Sequence, residues 1–246
     1  SGGHVFDLWV LNDIKLSLLV SEPPGFRPIS KLGVGERGGV SIWVPVKDRL
    51  QYVAGVDSSE GETWSNPAGC GILEIESGEQ VAALHGIFSP KELAELSADL
   101  CWEYNETLMC VERNNTGVAV LQWLTESVAY PNLFWTYPFS GSGRKLQTSP
   151  KLGWSTNSQT KPLLVRDLVD GVQGSSMIVN DPDFVDECMT FVKDRGREGE
   201  AVHAQEGCTD DRVMYWGIAW RIRKLILLGY VAAVQAPSVI ELGVRS

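Results

Sequence analysis

Residues 52–57 read Tyr-Val-Ala-Gly-Val-Asp, a short apolar run that ends in a carboxylate. Its β-branched and aromatic residues favour a strand, and the scarcity of polar residues suits a strand buried in the middle of a sheet. Two more apolar runs follow at 70–75 and 80–85, and Ser77-Gly78 separates them as a turn. We therefore expect three consecutive antiparallel strands, the first of which ends at Asp57.

A helix, a strand and a second helix are predicted after these three strands. Residues 89–92, Ser-Pro-Lys-Glu, have the pattern of a helix start with a capping box. Leu108–Val111 is the next strand and leads directly to Glu112, and the apolar residues of 116–127 have helical spacing. The expected fold class is therefore α/β, with a mixed sheet of three antiparallel strands and then parallel strands, flanked by helices.

The chain is expected to divide into three segments. Residues 1–50 form a lead-in segment that packs on the sheet, residues 51–232 the main domain, and residues 233–246 a C-terminal tail. Within the main domain, 193–207 is charged and carries Gly residues, which favours a protruding hairpin or a flexible loop. Residues 210–230 have the apolar spacing of a long helix that packs against the sheet.

The composition limits the possible functions. The chain carries 31 Asp and Glu against 21 Lys and Arg, a formal net charge of -10. This argues against a protein that holds nucleic acid through a broad positive field, although bound cations would neutralise an acidic cluster. The Cys residues lack C-x-x-C spacing and the His residues are isolated, so neither a zinc site nor a disulfide framework is expected. No segment approaches the ~20 apolar residues of a membrane helix, so we expect a soluble intracellular protein.

Three acidic segments carry the candidate site residues. Asp57 and Glu112 each follow an apolar run, and Asp210 and Asp211 begin the last predicted helix. Site residues in α/β folds gather at such strand ends, and Mg²⁺ takes oxygen ligands such as carboxylates. Asp57 could instead form a turn, and one of Asp210 and Asp211 could cap the helix. A buried Glu112 must be paired, protonated or bound to metal, so the leading hypothesis is a metal-dependent phosphodiester hydrolase.

Several motifs in a fixed order carry a resemblance to a known family. They are 52–57 followed by Glu60-Gly61, 111–117 (Val-Glu-Arg-Asn-Asn-Thr-Gly), 152–156 (Leu-Gly-Trp-Ser-Thr), 160–162 (Thr-Lys-Pro) and 210–214 (Asp-Asp-Arg-Val-Met). Together they resemble the nuclease domain of the large terminase subunit of tailed bacteriophages, over roughly residues 51–230. The resemblance implies a ribonuclease-H-like fold. It also implies metal-dependent endonuclease cleavage of double-stranded DNA, with little sequence specificity, during viral genome packaging.

The resemblance further implies site residues, cofactors and partners. Asp57, Glu112 and Asp211 are the implied catalytic and metal-binding residues, with Asp210 as a candidate fourth ligand. They would hold two Mg²⁺ or Mn²⁺ ions, with Asp57 bridging both. The implied partners are double-stranded DNA, the portal, the small terminase subunit and an upstream ATPase motor domain, whose G-x-x-x-x-G-K-[ST] loop this chain lacks. The implied location is the cytoplasm of the infected bacterial host.

Basic and amide side chains near the acidic segments are candidates for supporting roles. The candidate contacts to the DNA backbone are Lys161, Arg113, Arg144 and Lys145. Such contacts position DNA without reading its sequence, although scattered basic residues on an acidic protein also serve simply as solubilising surface. Asn114 and Asn115 could cap the helix that follows them or orient Glu112.

Three alternative functions stay open. A Holliday-junction resolvase would share the acidic cluster but cut branched DNA. Half of a sugar kinase or actin-like ATPase also begins with an Asp after its first strand, but it needs Gly-rich phosphate loops that this sequence lacks. A non-catalytic docking module would use an acidic face to bind a basic portal or partner subunit.

Overall fold

The structure, a computed structural model, describes residues 3–31, 34–59, 67–136, 150–196 and 199–232. The strands in these ranges are β1 (Gly3–His4), β2 (Gly25–Lys31), β3 (Val34–Ile42), β4 (Tyr52–Asp57), β5 (Ala68–Glu74), β6 (Gln80–Gly86), β7 (Leu108–Val111), β8 (Trp135–Thr136), β9 (Lys151–Leu152), β10 (Phe191–Gly196) and β11 (Gly199–Ala204). The helices are α1 (Leu8–Leu18), α2 (Pro90–Glu103), α3 (Asn115–Gln122), α4 (Thr160–Gln173), α5 (Pro182–Thr190) and α6 (Asp211–Leu227). A π-helical turn, Trp123–Ser127, continues α3.

The central sheet has six strands in the order β2-β3-β6-β5-β4-β7. Neighbouring strands are antiparallel except β4 and β7, which run parallel. Every residue of β4 and β5 is buried, as expected for strands in the middle of a covered sheet. The three antiparallel strands β4, β5 and β6, followed by the parallel strand β7, confirm the predicted mixed sheet.

Helices cover both faces of this sheet. One face packs against α4, α5 and α6, in a core that includes Val53 and Trp216. The opposite face packs against α2 and α3, in a core that includes Ala54 and Leu93. Val53 and Ala54 are neighbours in β4 and point to opposite faces, because side chains alternate along a strand. The molecule is therefore a three-layer arrangement of helices, sheet and helices.

Helix α6 lies directly on the backbone of β4 because Gly55 has no side chain. A Cβ at Gly55 would clash with the backbone oxygen of Tyr215 and stand 2.6 Å from the nitrogen of Ala219. This close approach brings the N-terminal end of α6 to the end of β4.

The structure confirms two local predictions, the capping box of α2 and the hairpin at 193–207. The capping box of α2 is present, since Ser89 Oγ accepts from the Glu92 N–H at 3.3 Å and the Glu92 carboxylate accepts from the Ser89 N–H at 2.9 Å. The hairpin alternative for 193–207 is confirmed by the antiparallel pair β10 and β11, which β1 extends. Helix α5 ends at Thr190, where the chain turns into β10.

The segment before Gln51 contributes α1 and the hairpin of β2 and β3, and β3 joins this hairpin to the sheet by pairing with β6. None of the helices in the described ranges combines the length and apolar character needed to cross a lipid bilayer.

Candidate active site

Two neighbouring strand ends bring Asp57 and Glu112 side by side. Val56 of β4 pairs in parallel with Val111 of β7, and the Glu112 N–H donates to the Val56 oxygen at 2.8 Å. Asp57 and Glu112 are the next residues on the two strands, and they are 8% and 7% exposed. Two of the acids singled out from the sequence therefore meet at one edge of the sheet, largely shielded from water.

The N-terminal end of α6 adds two more acids to the same place. Asp210 precedes α6 and Asp211 is its first residue. All four carboxylates line one pocket of about 520 Å³. The other residues that line it are Ser58, Ser59, Asn114, Asn115, Thr116, Thr156, Lys161 and Met214. The three acidic segments, far apart in the sequence, thus share a single pocket.

The segment that carries Thr156 is tied to the strand that precedes Glu112. The Trp154 N–H donates to the Val111 oxygen at 2.9 Å, and the Arg113 N–H donates to the Trp154 oxygen at 2.6 Å. These bonds place Thr156 in the pocket wall, where its Oγ1 is buried and has no hydrogen-bond partner in the described part of the chain. The Leu-Gly-Trp-Ser-Thr motif of the sequence therefore borders the acids.

Burial and crowding of like charges raise the pKa values of two of the acids. The pKa of Asp57 lies well above its usual range, first because of burial and then because of the charge of neighbouring Glu112. The pKa of Asp211 is raised to about 7, first by burial and then by neighbouring Asp210. Carboxylates that crowd together in this way must share protons or bind a cation. The crowded carboxylates therefore favour binding of a cation in the pocket.

Asn114 fixes the position of Glu112. Its Nδ2 donates to Glu112 Oε2 at 2.9 Å, while its Oδ1 accepts from the Gly117 N–H at 2.7 Å and caps α3. Because capping uses Oδ1, the amide nitrogen is left facing Glu112. Gly117 permits the approach, since a Cβ there would clash with the Glu112 backbone oxygen. Of the two roles considered from the sequence, Asn114 performs both.

Ser58 and Thr116 join the two strand ends. Ser58 Oγ lies 2.9 Å from Thr116 Oγ1 and 3.2 Å from Asn114 Oδ1, and the Ser58 N–H donates to Asp57 Oδ1 at 2.9 Å. These bonds connect the Asp57 side of the pocket to the Glu112 side. Thr116 lies within the 111–117 motif, but the sequence predicts no contact between it and Ser58, because Ser and Thr are common in turns for local reasons.

Lys161 reaches into the pocket from the first turn of α4. Its Nζ lies 3.3 Å from Asp210 Oδ2 and 5.8 Å from the ring centroid of Phe191. Among the described residues that line the pocket, Lys161 is the one with a basic side chain. Its contact with DNA stays a prediction, but it stands beside the acids as that prediction requires.

The other basic candidates have different surroundings. Arg113 donates to Ser155 Oγ, from Nη2 at 2.7 Å and from Nε at 3.2 Å, and does not line the pocket. Arg144 and Lys145 lie outside the described residues, as does Glu60. The DNA contacts of these arginines and of Lys145 stay predictions.

An ion-pair network centred on Arg212 supports the start of α6. Arg212 donates to Asp181 Oδ2 and to Asp183 Oδ2, each at 2.8 Å. Asp181 caps α5 and also accepts from the Trp216 indole at 3.1 Å. Arg212 follows Asp211 directly, so the network holds the helix end that carries a pocket acid. The sequence places Arg212 beside Asp211, but its partners come from α5 and become visible only in the folded chain.

The donor set of the pocket fits hard divalent cations. The candidate ligands are carboxylates, which suit Mg²⁺ and Mn²⁺. Asp211 is 6% exposed, and its Oδ2 has no hydrogen-bond partner among the described residues. An ionised oxygen buried without a partner is costly unless a cation is bound. Within the described ranges, no three His, Cys, Asp or Glu side chains already stand in position to hold an ion, so binding requires the acids to draw together.

The mixed sheet flanked by helices, with β4 and β7 as its parallel pair, matches the ribonuclease-H-like fold expected from the sequence. The sequence matches no protein-family model. The structure is similar to the large terminase nuclease from thermophilic phage G20c with bound magnesium, at a TM-score of 0.63 and 15% identity over 89% of this chain and 96% of that chain. It is also similar to the large terminase nuclease domain of Thermus phage P74-26, at a TM-score of 0.58 and 14% identity over 86% and 93% of the two chains. This chain therefore has the fold of large terminase nuclease domains, as the resemblance in sequence implied.

Proposed function

We propose that this chain is a metal-dependent endonuclease domain that cleaves double-stranded DNA, with little sequence specificity, during viral genome packaging. The observation that carries the proposal is the meeting of Asp57, Glu112 and Asp211 in one buried acidic pocket on a terminase nuclease fold. Structures of the similar G20c nuclease have magnesium, cobalt or zinc bound. Those proteins support dependence on a divalent metal here.

In the proposal, Asp57, Glu112 and Asp211 would together hold two Mg²⁺ or Mn²⁺ ions. The central role of Asp57 is supported by its pKa, which is raised first by burial and then by the charges of Glu112, Asp211 and Asp210. It is the acid that interacts with all the others. Asp210 either adds a ligand or stays paired with Lys161, from which it is separated by 3.3 Å.

The chain itself has to hold the ions and place the scissile phosphodiester. When bound, the two ions supply positive charge that lowers the pKa of an attacking water and stabilises the leaving oxygen, so no Ser or Cys nucleophile is needed. Asn114 keeps Glu112 Oε2 in place through its 2.9 Å bond. Thr156 lines the pocket and its Oγ1 is buried without a partner in the described ranges, and in the proposal this hydroxyl would donate to a phosphate oxygen of the DNA.

DNA would approach the pocket along the side of Lys161. A phosphate beside Lys161 would compete with Asp210 for its ammonium group, which frees the Asp210 carboxylate. Arg113, Arg144 and Lys145 are proposed as further backbone contacts. Because backbone contacts carry no base information, cleavage is expected at many sequences.

The proposal also places the chain among partners. They are an ATPase motor domain upstream in the same polypeptide, the portal and the small terminase subunit, in the cytoplasm of the infected bacterial host. The support is the order of the sequence motifs together with the fold. A net charge of -10 favours delivery of DNA by such partners over capture by this domain alone.

A cleavage assay tests the proposal. Supercoiled plasmid is incubated with the protein in Mg²⁺, in Mn²⁺ and in chelator, in parallel with Asp57→Asn and with Asp48→Asn, whose side chain is exposed. We expect metal-dependent nicking and linearisation by wild type and Asp48→Asn, and none by Asp57→Asn. Equal cutting by Asp57→Asn, or no cutting in any metal, would refute the nuclease and favour a docking module. Preference for a four-way junction over linear duplex would favour a resolvase.

A further inference from the structure

Asp210 occupies the N-cap position of α6, yet its side chain makes no capping hydrogen bond. The first N–H groups of a helix have no partner within the helix, and an Asp at the N-cap normally accepts from the second or third of them. In α6 these are the N–H groups of Arg212 and Val213. Another group must therefore satisfy them.

Glu187 of α5 performs this capping from outside the helix. Its Oε2 accepts from the Arg212 N–H at 2.7 Å and from the Val213 N–H at 3.2 Å. Its Oε1 accepts from Thr209 Oγ1 at 3.2 Å, on the loop that enters α6. Glu187 is 11% exposed in its side chain, so little water competes for these bonds. One carboxylate thus fixes both the loop and the first turn of α6.

Capping by Glu187 affects which way the carboxylates of Asp210 and Asp211 face in the pocket. Asp210 Oδ2 faces Lys161 at 3.3 Å, and Asp211 Oδ2 is buried with no partner in the described ranges. Had Asp210 capped α6 itself, its carboxylate would point at the helix N–H groups and away from the pocket. We propose that Glu187 is a positioning residue, which caps α6 so that Asp210 and Asp211 are left to bind metal. This inference rests on the proposed metal-dependent function.

Glu187 is well placed for this role because α5 is itself anchored to the sheet. The Asp181 N–H, at the cap of α5, donates to Gln80 Oε1 of β6 at 2.9 Å. Arg212 then holds Asp181 at 2.8 Å from the α6 side. The capping carboxylate is therefore carried by a helix that is fixed at its N-terminal end to the sheet and to α6.

The test compares Glu187→Ala with Glu187→Gln, whose amide oxygen can still accept from the helix N–H groups. Asp7→Ala is the matched control, since Asp7 caps α1 by accepting from the Trp9 N–H at 2.8 Å. Three quantities are measured for each protein: Mn²⁺ affinity by calorimetry, the plasmid cleavage rate as a function of Mn²⁺, and the melting temperature in chelator. Should Glu187→Ala fail to fold, Glu187→Asp withdraws the carboxylate by one methylene and carries the same comparison.

We expect Glu187→Ala to bind Mn²⁺ about 10–100-fold more weakly, the usual effect of losing a residue that supports a metal ligand. Glu187→Gln should return the affinity close to the wild-type value, and Asp7→Ala should lower the melting temperature alone. Wild-type affinity in Glu187→Ala, or a Glu187→Gln variant as weak as Glu187→Ala, would overturn the positioning role of Glu187 and leave the nuclease proposal standing. Absence of Mn²⁺ binding and of cleavage in the wild-type protein would overturn both.

Discussion

The carboxylate of Glu112 and the side-chain amide of Asn114 are joined by a 2.9 Å hydrogen bond, and the other end of the same amide caps α3. The position of a pocket acid is thereby coupled to the start of a helix. Glu187 repeats this arrangement at α6, where it caps the helix that carries Asp211. Both sides of the pocket are thus held by residues that also cap a helix.

Substitutions at Asn114 should distinguish its capping of α3 from its orientation of Glu112. Asn114→Ser keeps a good capping oxygen but removes the N–H donor to Glu112, so we expect cleavage to fall about 10–100-fold with little change in melting temperature. Asn114→Ala loses both functions and should lower the melting temperature by a further ~2–4 °C, the effect of about 1 kcal/mol in a domain of this size. Full cleavage by Asn114→Ser would show that the bond to Glu112 is dispensable.

Asp211→Asn should stabilise the metal-free protein. The pKa of Asp211 in the folded state, about 7, exceeds the ordinary value of 3.8, so its contribution to the free energy of unfolding is present below pH 3.8 and is lost as the pH rises through 7. The amide stays neutral at all these pH values. In chelator at pH 8 the melting temperature of Asp211→Asn is therefore expected to exceed that of wild type by roughly 2 °C or more.

The same variant should respond less to metal. Mn²⁺ that binds only the folded state raises the melting temperature of wild type, and loss of a ligand reduces that gain. Asp48→Asn, with an exposed side chain, should leave both quantities as in wild type. Identical Mn²⁺ gains in Asp211→Asn and wild type would remove Asp211 from the ligand set.

His85 should make the protein sensitive to acid. Burial, followed by the charge of Arg212, lowers its pKa from 6.5 to about 3. Because the folded state prefers the neutral ring, the stability contributed by His85 is complete above pH 6.5 and is lost as the pH falls towards 3. Between pH 7.5 and 5.0, wild type should lose ~2 kcal/mol more of its unfolding free energy than His85→Gln, as measured by urea denaturation. The acids described above act with the opposite sign but are the same in both proteins. Equal slopes in the two proteins would therefore contradict a neutral His85 in the folded state.

Gly55→Ala should be far more damaging than another strand glycine replaced in the same way. The new methyl group would collide with the backbone of α6 at Tyr215, whereas a Cβ at Gly25 of β2 meets nothing nearer than 3.8 Å. We expect Gly55→Ala to lower the unfolding free energy by about 3 kcal/mol or more, and Gly25→Ala by about 1 kcal/mol or less. Urea denaturation measures both, and comparable losses would contradict close packing of α6 on β4.

The sequence predicts the elements whose signals are local. β4 and β7 are continuous apolar runs, and the Ser-Pro-Lys-Glu start of α2 contains its own cap. The hairpin of β2 and β3 is harder to predict, because Pro28 lowers the strand signal of β2. Pro is tolerated there since β2 lies at the edge of the sheet, where one side of the strand pairs with no other strand in the described part of the chain.

The site residues also divide into those that the sequence signals locally and those whose role depends on packing in the folded chain. Asp57 and Glu112 are recognisable because each ends an apolar run, and parallel pairing of β4 and β7 then brings them together. The cap provided by Glu187 depends on the packing of α5 against α6, two helices whose contact no spacing in the sequence encodes. The sequence therefore suggests the acids, and only the folded chain reveals what positions them.

In the proposed function, Asp57, Glu112 and Asp211 together bind a pair of divalent ions. Anomalous scattering from crystals soaked in Mn²⁺ measures this most directly. We expect two manganese peaks in the pocket, both in contact with the Asp57 carboxylate, one reached by Glu112 and the other by Asp211. A pocket free of manganese, with the three carboxylates still apart at a Mn²⁺ concentration that supports cleavage, would contradict the claim.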